Sequence, residues 1–325
     1  MQRVKALLVV VSFTLNAFVP AAWARDARKD PDMIGERDIA KGVNFYSIEK
    51  EMALGKQLAE EVERQSRVVD DPVVSEYVNR LGQNLVRNSD AKVPFTIKVL
   101  DSGEVNAFAL PGGYLFVNTG LIERTESEAQ LAGVLAHEIA HVAARHGTRQ
   151  ATRGRIINIA TIPLIFMGGW AGYIANQAAG IAVPLGFLKF SRGFEEEADL
   201  YGIQYLYKAG YDPTAFVDFF EKLQTLEKKK PGTLAKVFSS HPMTGDRIKD
   251  AQEYMSTELA PREEYVVTTS EYEEVKARVE ALDRRRIREE DPDRPTLRRR
   301  SSGTIDTGGE QKPDDEDERP TLKRQ

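Results

Sequence analysis

Residues 125–147 read Thr-Glu-Ser-Glu-Ala-Gln-Leu-Ala-Gly-Val-Leu-Ala-His-Glu-Ile-Ala-His-Val-Ala-Ala-Arg-His-Gly. Apolar residues recur in this stretch at intervals of three and four, which predicts one continuous helix. Thr125 and Glu128 form a candidate capping box at its start. Residues four apart in a helix differ by about 40° in direction, so His137 and His141 project from the same face.

The order His137-Glu138-x-x-His141 is typical of a zinc site on a helix. The two imidazoles bind the metal, while Glu138, one position further round the helix, reaches a water on the metal. Burying two imidazoles and a carboxylate among apolar residues is costly when they are unpaired, which favours a bound ion. The sequence therefore predicts one Zn²⁺ per chain.

His146 is the third histidine within ten residues, and the whole chain has only four. It lies nine residues past His137, which places it on the opposite side of the predicted helix. We therefore expect a structural role for His146 and no bond to the metal.

The first 24 residues have the pattern of a secretory signal peptide. Arg3 and Lys5 precede an apolar stretch at 6–19, and Ala-Trp-Ala at 22–24 is a cleavage site. The chain contains no cysteine, so disulfides and thiolate zinc ligands are excluded and the metal must be held by histidine and carboxylate. Export without disulfides fits a bacterial periplasm, with peripheral membrane association as a further expectation.

Composition divides the chain into four expected segments. After the signal peptide at 1–24 we expect a flexible lead-in at 25–43, a folded domain at 44–283 and a disordered tail at 284–325. The tail carries twelve basic and eleven acidic residues and no aromatic one, too little apolar surface to offset its ordering entropy. The net charge of −5 disfavours nucleic acid as a partner.

Patterns within the domain predict an α+β chain, mainly α, with a small antiparallel sheet beside the metal-binding helix. Asp71-Pro72 marks a helix start, and Pro-Gly-Gly at 111–113 joins two short strands. The predicted helices are 48–66, 72–85, 125–147, 194–209, 213–227 and 270–283, and a first strand is predicted at 95–100. We expect the strand around Asn106, Ala107, Phe108 and Ala109 to offer an unpaired edge on which an extended substrate lies.

The charge-free stretch 156–188 has two interpretations. Its length allows a membrane span or a contact with the membrane surface. Its prolines and glycines divide it into short pieces, which favours a pair of short helices or an apolar lid over the cleft.

A third protein ligand is needed to complete a zinc site with one open position. The acidic residues Glu195, Glu196 and Glu197 all qualify, and spacing does not choose among them. Glu195 and Asp199 are four apart and would share one face of a helix.

Four motifs in this order resemble the HtpX and CAAX-prenyl-endopeptidase family of zinc metallopeptidases, and most closely its secreted, BepA-like bacterial branch. They are Asn-Ala-Phe-Ala-x-Pro-Gly-Gly from 106, His-Glu-x-x-His from 137 with Arg-His behind it, Ser-Arg-x-x-Glu-x-x-Ala-Asp from 191, and Ser-His-Pro from 240 with Arg-Ile at 247–248. The resemblance covers residues 44–283 and implies a gluzincin-type zinc metallopeptidase domain there.

The resemblance also assigns roles to residues. It implies that Glu195 is the third zinc ligand, that Asp199 stands beside the site, and that Glu138 is the catalytic base. His241 either reaches the zinc in a closed resting state or steadies the oxyanion in an open one, and a helix-capping role is the plainer alternative.

The function implied is hydrolysis of peptide bonds in misfolded or unassembled cell-envelope proteins. The alternative is a periplasmic chaperone or assembly factor for outer-membrane proteins, with the zinc site closed. The expected partners are protein substrates, the outer-membrane assembly machinery, and the membrane surface through 156–188.

Overall fold

The computed structural model describes residues 26–157, 190–229, 241 and 244–290. Within these ranges nine α-helices and three strands occur, so the described part is mainly α, as predicted. In chain order they are α1 (Ile48–Gln65), α2 (Pro72–Arg87), β1 (Thr96–Leu100), β2 (Ala107–Leu110), β3 (Tyr114–Asn118), α3 (Thr119–Arg124), α4 (Glu128–Ala143), α5 (His146–Ile157), α6 (Arg192–Lys208), α7 (Thr214–Lys229), α8 (Gly245–Glu258) and α9 (Ser270–Glu290).

Three predicted features lie outside the described residues. They are the signal peptide at 1–24, nearly all of the charge-free stretch 156–188, and the tail beyond Glu290. Among the helices that the structure does describe, none has the length and apolar content needed to cross a membrane.

Helix α4 is the centre of the core, and all of its residues are buried. It begins later than predicted, at Glu128, and Ser127 caps it with a hydroxyl that accepts a hydrogen bond from the Gln130 N–H at 3.3 Å. The predicted capping box of Thr125 and Glu128 does not form. A short helix, α3, lies directly before α4, and Thr125 ends it by donating its hydroxyl to the Leu121 and Ile122 carbonyls.

Helix α6 packs closely along α4 because a glycine lies at their contact. A Cβ added to Gly202 would lie 3.0 Å from the Cα of His137, closer than ordinary side-chain contacts allow. Ala136 and Ala140 on α4 and Ala198 on α6 are also fully buried small residues. The close approach brings the acidic start of α6 to the histidine face of α4.

The sheet is mixed, with the strand order β1-β3-β2. Strands β2 and β3 are antiparallel, as predicted, and turn at Gly112 and Gly113, which have φ of 78° and 94°. Strand β1 runs parallel to β3, from Thr96 opposite Tyr114 to Leu100 opposite Asn118, which corrects the expected all-antiparallel sheet. The reason is that the chain crosses from β1 to the far side of β3, so β2 becomes an edge strand.

The described part of the expected lead-in, residues 26–43, is tied to the domain. Arg37 forms an ion pair with Asp90 at 2.9 Å, and their side chains are only 3% and 0% exposed. The Gly35 N–H and the Tyr205 hydroxyl also donate to the Asp90 carboxylate. A buried, fully paired carboxylate therefore anchors the segment that precedes α1.

The last helix, α9, closes the other side of the core. The Tyr272 hydroxyl is fully buried and donates to the Thr125 carbonyl at 2.8 Å. Thr269 caps the helix by accepting from the Tyr272 N–H. The helix continues to Glu290, past the expected domain end at 283.

We expect Arg37→Met to lower the free energy of unfolding by about 3 kcal/mol or more, because it leaves a buried carboxylate without its cation. Urea denaturation followed by circular dichroism measures this. The matched control is Arg80→Met, which removes an arginine that is 55% exposed and pairs with Glu271, itself 52% exposed. That variant should change stability by less than about 1 kcal/mol. Equal losses in the two variants would show that Arg37 does not anchor the lead-in.

Candidate metal centre

Four side chains from three parts of the chain converge beside α4. His137 and His141 come from α4, Glu195 from the first turn of α6, and His241 from the chain just before α8. One nitrogen or oxygen of each lies within 4.8 Å of those of the other three. All four residues are buried, the most accessible being His241 at 7%.

The spacing of the donor atoms fits a metal ion. The Nε2 atoms of His137 and His141 are 3.0 Å apart. Glu195 Oε2 lies 3.5 Å from His137 Nε2, and Glu195 Oε1 lies 3.6 Å from His141 Nε2. Ligands bound tetrahedrally at about 2.0–2.1 Å are separated by about 3.3 Å, so these three side chains match the requirement. Two histidines and a carboxylate are also the donor set of catalytic zinc.

The three consecutive glutamates face different ways, which spacing alone did not decide. Glu195 is buried and faces the two histidines of α4. Glu196 is exposed. Glu197 is half-buried, and its Oε2 lies 3.0 Å from His146 Nε2 and accepts from Arg149 at 3.0 Å. Of the three, only Glu195 is placed to bind the same ion as His137 and His141.

Asp199 and Arg247 stand behind His137. Asp199 Oδ1 lies 3.1 Å from His137 Nδ1. Arg247 donates to both Asp199 oxygens, at 2.6 and 2.7 Å, and its Nη1 lies 3.0 Å from Glu195 Oε2. Burial alone would raise the pKa of Asp199, but Arg247 and His137 outweigh it and lower that pKa. The anionic Asp199 therefore favours the His137 tautomer whose Nε2 faces the donor cluster.

Arg247 is a site residue that sequence reasoning did not identify. It appeared only as part of the fourth motif, with no contact assigned. It lies in the first turn of α8, 48 residues beyond Asp199, and the Thr244 hydroxyl caps that turn. Nothing local in the sequence indicates a contact at that separation.

Glu138 is held beside the cluster without joining it. Its Oε2 accepts from the Ala109 N–H of β2 at 3.1 Å, and its Oε1 lies 3.6 Å from His241 Nε2. Burial raises the pKa of Glu138, although His241 and His137 oppose the shift. A carboxylate with a raised pKa that lies next to a metal site is suited to accept and return a proton near neutral pH.

The structure corrects the predicted position of His146. Helix α4 ends at Ala143, and Arg145 adopts a φ of 57°, the only positive φ of a non-glycine residue within the described ranges. A new helix, α5, then begins at His146. The turn brings the His146 Nδ1 to 2.9 Å from the His141 Nδ1, whereas one continuous helix would have carried it to the opposite face.

Strand β2, which includes three of the four residues expected to bind substrate, lies alongside the cluster. Asn106 and Ala107 border a small cavity of about 20 Å³ that also touches His137 and Glu138. Its lining also includes the apolar side chains of Phe219 and Phe220 of α7, which the sequence did not single out. The cavity therefore lies between the edge strand and the donor cluster.

The fold and this donor set define a metallopeptidase site of the His-Glu-x-x-His class. A family model described as Peptidase family M48 matches residues 72–255, more than half of the chain, and the chain belongs to this family.

Several relatives agree with this assignment. The chain is 34% identical over 252 residues to the putative beta-barrel assembly-enhancing protease of Vibrio cholerae, covering 74% of this chain and 51% of that protein. It is 31% identical over 254 residues to the beta-barrel assembly-enhancing protease of Escherichia coli K12, covering 75% and 50%. It is also 29% identical over 209 residues to the metalloprotease LoiP of the same strain, covering 63% and 80%.

These matches bear on the resemblance drawn from the motifs. The chain spans about half the length of the beta-barrel assembly-enhancing proteases it matches. The predicted membership of a zinc metallopeptidase family is confirmed, and that family is M48. The HtpX and CAAX-prenyl-endopeptidase group is a different branch, and membership of that branch is not confirmed.

We expect the isolated chain to bind one metal ion and Glu195→Gln to weaken that binding by at least about tenfold, since a neutral amide replaces the anionic donor. Competition against a chromogenic chelator measures the affinity. Glu196→Gln is the matched control, because it makes the same chemical change one residue away on an exposed side chain. Equal affinities for the two variants would remove Glu195 from the ligand set.

Proposed function

We propose that this chain is a zinc-dependent endopeptidase of the bacterial cell envelope that hydrolyses peptide bonds of misfolded or unassembled envelope proteins. The observation that carries the proposal is the buried Glu138 carboxylate, fixed by β2 beside three donor groups with the spacing of a metal site. The names of the relatives, beta-barrel assembly-enhancing protease and metalloprotease, support the reaction and the class of substrate.

In this proposal Zn²⁺ is held by His137, His141 and Glu195. When bound there, Zn²⁺ would supply Lewis-acid polarisation of the scissile carbonyl and would lower the pKa of the attacking water. The protein moves the proton. The Ala109 N–H occupies Oε2 of Glu138, which leaves Oε1 to accept a proton from the water and return it to the leaving amine.

The substrate is proposed to bind as an added strand on β2. The Asn118 N–H donates to the Asn106 carbonyl at 3.0 Å, so alternate residues from Asn106 bond to β3. The backbone groups of Ala107 and the Ala109 carbonyl therefore face away from β3, toward the metal centre, where the Ala109 N–H already donates to Glu138. Recognition through backbone groups depends little on side chains and suits many unfolded substrates.

Location and partners are part of the proposal. We infer that a signal peptide at 1–24 directs the chain to the periplasm and that residues 44–283 form the peptidase domain, which contains the family match at 72–255. Outer-membrane assembly machinery is the proposed setting, since two relatives are named for beta-barrel assembly. Contact with the membrane surface through 156–188 is proposed from the sequence alone.

We expect Glu138→Gln to reduce cleavage of an unfolded protein such as casein by at least about 100-fold, because an amide cannot accept the proton. Glu138 is not among the metal ligands, so zinc content and melting temperature should stay close to wild type. Mass spectrometry of the metal and a gel-based cleavage assay test both halves. Normal cleavage by this variant would show that Glu138 is not the base.

One observation favours the second candidate function, a chaperone or assembly factor with a closed site. His241 Nδ1 lies 2.9 Å from Glu195 Oε1, and His241 belongs to the four-residue donor cluster. A fourth protein donor would fill the position that water and substrate need. The same contact suits a protease whose resting state is closed.

His241→Ala separates these two candidates. For a protease with a closed resting site we expect casein cleavage to increase while zinc is retained, because the variant frees one position on the metal. A stable, zinc-loaded variant that still cleaves nothing would favour the chaperone. If His241 instead steadies the oxyanion, cleavage should fall by about 100-fold.

A further inference from the structure

We propose that His146, Glu197 and Arg149 form a relay that positions His141 for the metal. The inference deepens the proposed function, because it rests on His141 being a metal ligand. All members of the relay lie outside the donor cluster and are positioning residues.

The side chains of the relay contact one another in a single series that starts at His141. His141 Nδ1 lies 2.9 Å from His146 Nδ1, and His146 Nε2 lies 3.0 Å from Glu197 Oε2. Arg149 then donates to the same carboxylate oxygen at 3.0 Å and to the Ala144 carbonyl at 3.1 Å. His146 is completely buried, so no water competes for its two ring nitrogens.

The chemistry of imidazole decides which atom donates and which accepts at each of these contacts. A metal ligand must present an unprotonated nitrogen, so His141 carries its hydrogen on Nδ1 when Nε2 faces the metal. That hydrogen is donated to His146 Nδ1, which must then be the acceptor nitrogen of a neutral ring. His146 consequently has its hydrogen on Nε2 and donates it to Glu197. Each ring nitrogen of His141 and His146 then has a single role, and these hydrogen bonds select the His141 tautomer that metal binding requires.

A similar arrangement holds the other histidine of α4. Behind His137 stand Asp199 and Arg247, a carboxylate paired with an arginine. Behind His141 the carboxylate and the arginine are Glu197 and Arg149, with His146 inserted between ligand and carboxylate. Both carboxylates come from α6, so a single helix positions both imidazoles.

The backbone and the aromatic rings around His146 fix its orientation. The left-handed turn at Arg145 is held by the Arg145 side chain, which donates to Glu51 and to the Tyr46 carbonyl, both at 2.7 Å. The His146 ring stacks on Phe194 with centroids 4.4 Å apart. A non-glycine residue in the left-handed region is strained, so packing must enforce this turn. The turn is what brings His146 to His141.

The test compares zinc affinity and the spectrum of cobalt(II), a coloured substitute for zinc, in the full-length chain. His146→Phe keeps a ring on Phe194 but cannot accept from His141, and zinc affinity should fall by about 10–100-fold. Glu197→Leu should weaken binding in the same direction, whereas Glu197→Gln keeps an acceptor oxygen and should remain closer to wild type. The cobalt spectrum of His146→Phe should also shift.

The control for a merely structural effect is Arg37→Met. It disrupts another buried ion pair, and neither Arg37 nor Asp90 is one of the four donor residues. It should lower the melting temperature of metal-free and zinc-loaded protein alike and leave the zinc affinity within about twofold of wild type.

Two results would overturn the relay. One is wild-type zinc affinity with an unchanged cobalt spectrum in both His146→Phe and Glu197→Leu. The other is a loss of zinc affinity in His146→Phe that Glu197→Leu does not share, since the proposed series of contacts passes through both residues. Wild-type protein that binds neither zinc nor cobalt would instead refute the proposed function, and the relay with it.

Discussion

The structure depends on one constraint, that polar groups placed on a fully buried helix must be paired. Helix α4 carries His137, Glu138 and His141 into the core, where an unpaired imidazole or carboxylate would cost several kcal/mol. The surrounding elements supply the partners. Helix α6 provides Glu195, Glu197 and Asp199, β2 provides the Ala109 N–H, and α8 provides Arg247. The sheet and the helices around α4 are therefore arranged so that its buried polar groups are paired.

The sequence predicted features that depend on nearby residues. The start of α2 was predicted from Asp71-Pro72, and the Asp71 carboxylate does accept from the first free N–H groups of that helix. The β2–β3 turn was predicted from Pro-Gly-Gly, because its two glycines adopt backbone angles that other residues avoid. The facing of His137 and His141 followed from helix geometry alone.

The features that were missed depend on distant parts of the chain. The parallel pairing of β1 with β3 is a choice of topology, and no local pattern encodes it. The helical spacing of apolar residues continues through Arg145, so the sequence did not predict the break that reorients His146. The contacts that enforce this break come from Glu51 and Tyr46, about 100 residues earlier. Spacing likewise left the choice of Glu195 over its two neighbours open, and only the family resemblance made it, because that choice depends on the rotation of α6 against α4, which Gly202 permits.

The balance of charge explains why this site suits a divalent cation. Among the described residues of the site, four carboxylates (Glu138, Glu195, Glu197 and Asp199) face two guanidinium groups (Arg149 and Arg247), which leaves two negative charges in a largely buried region. In the metal-free protein His137 offsets part of this excess. Burial lowers its pKa, but Asp199 and Glu195 outweigh burial and raise the pKa of His137 to about 9. A cation with two charges would neutralise the site completely and release that proton, so the site is electrostatically matched to a divalent ion.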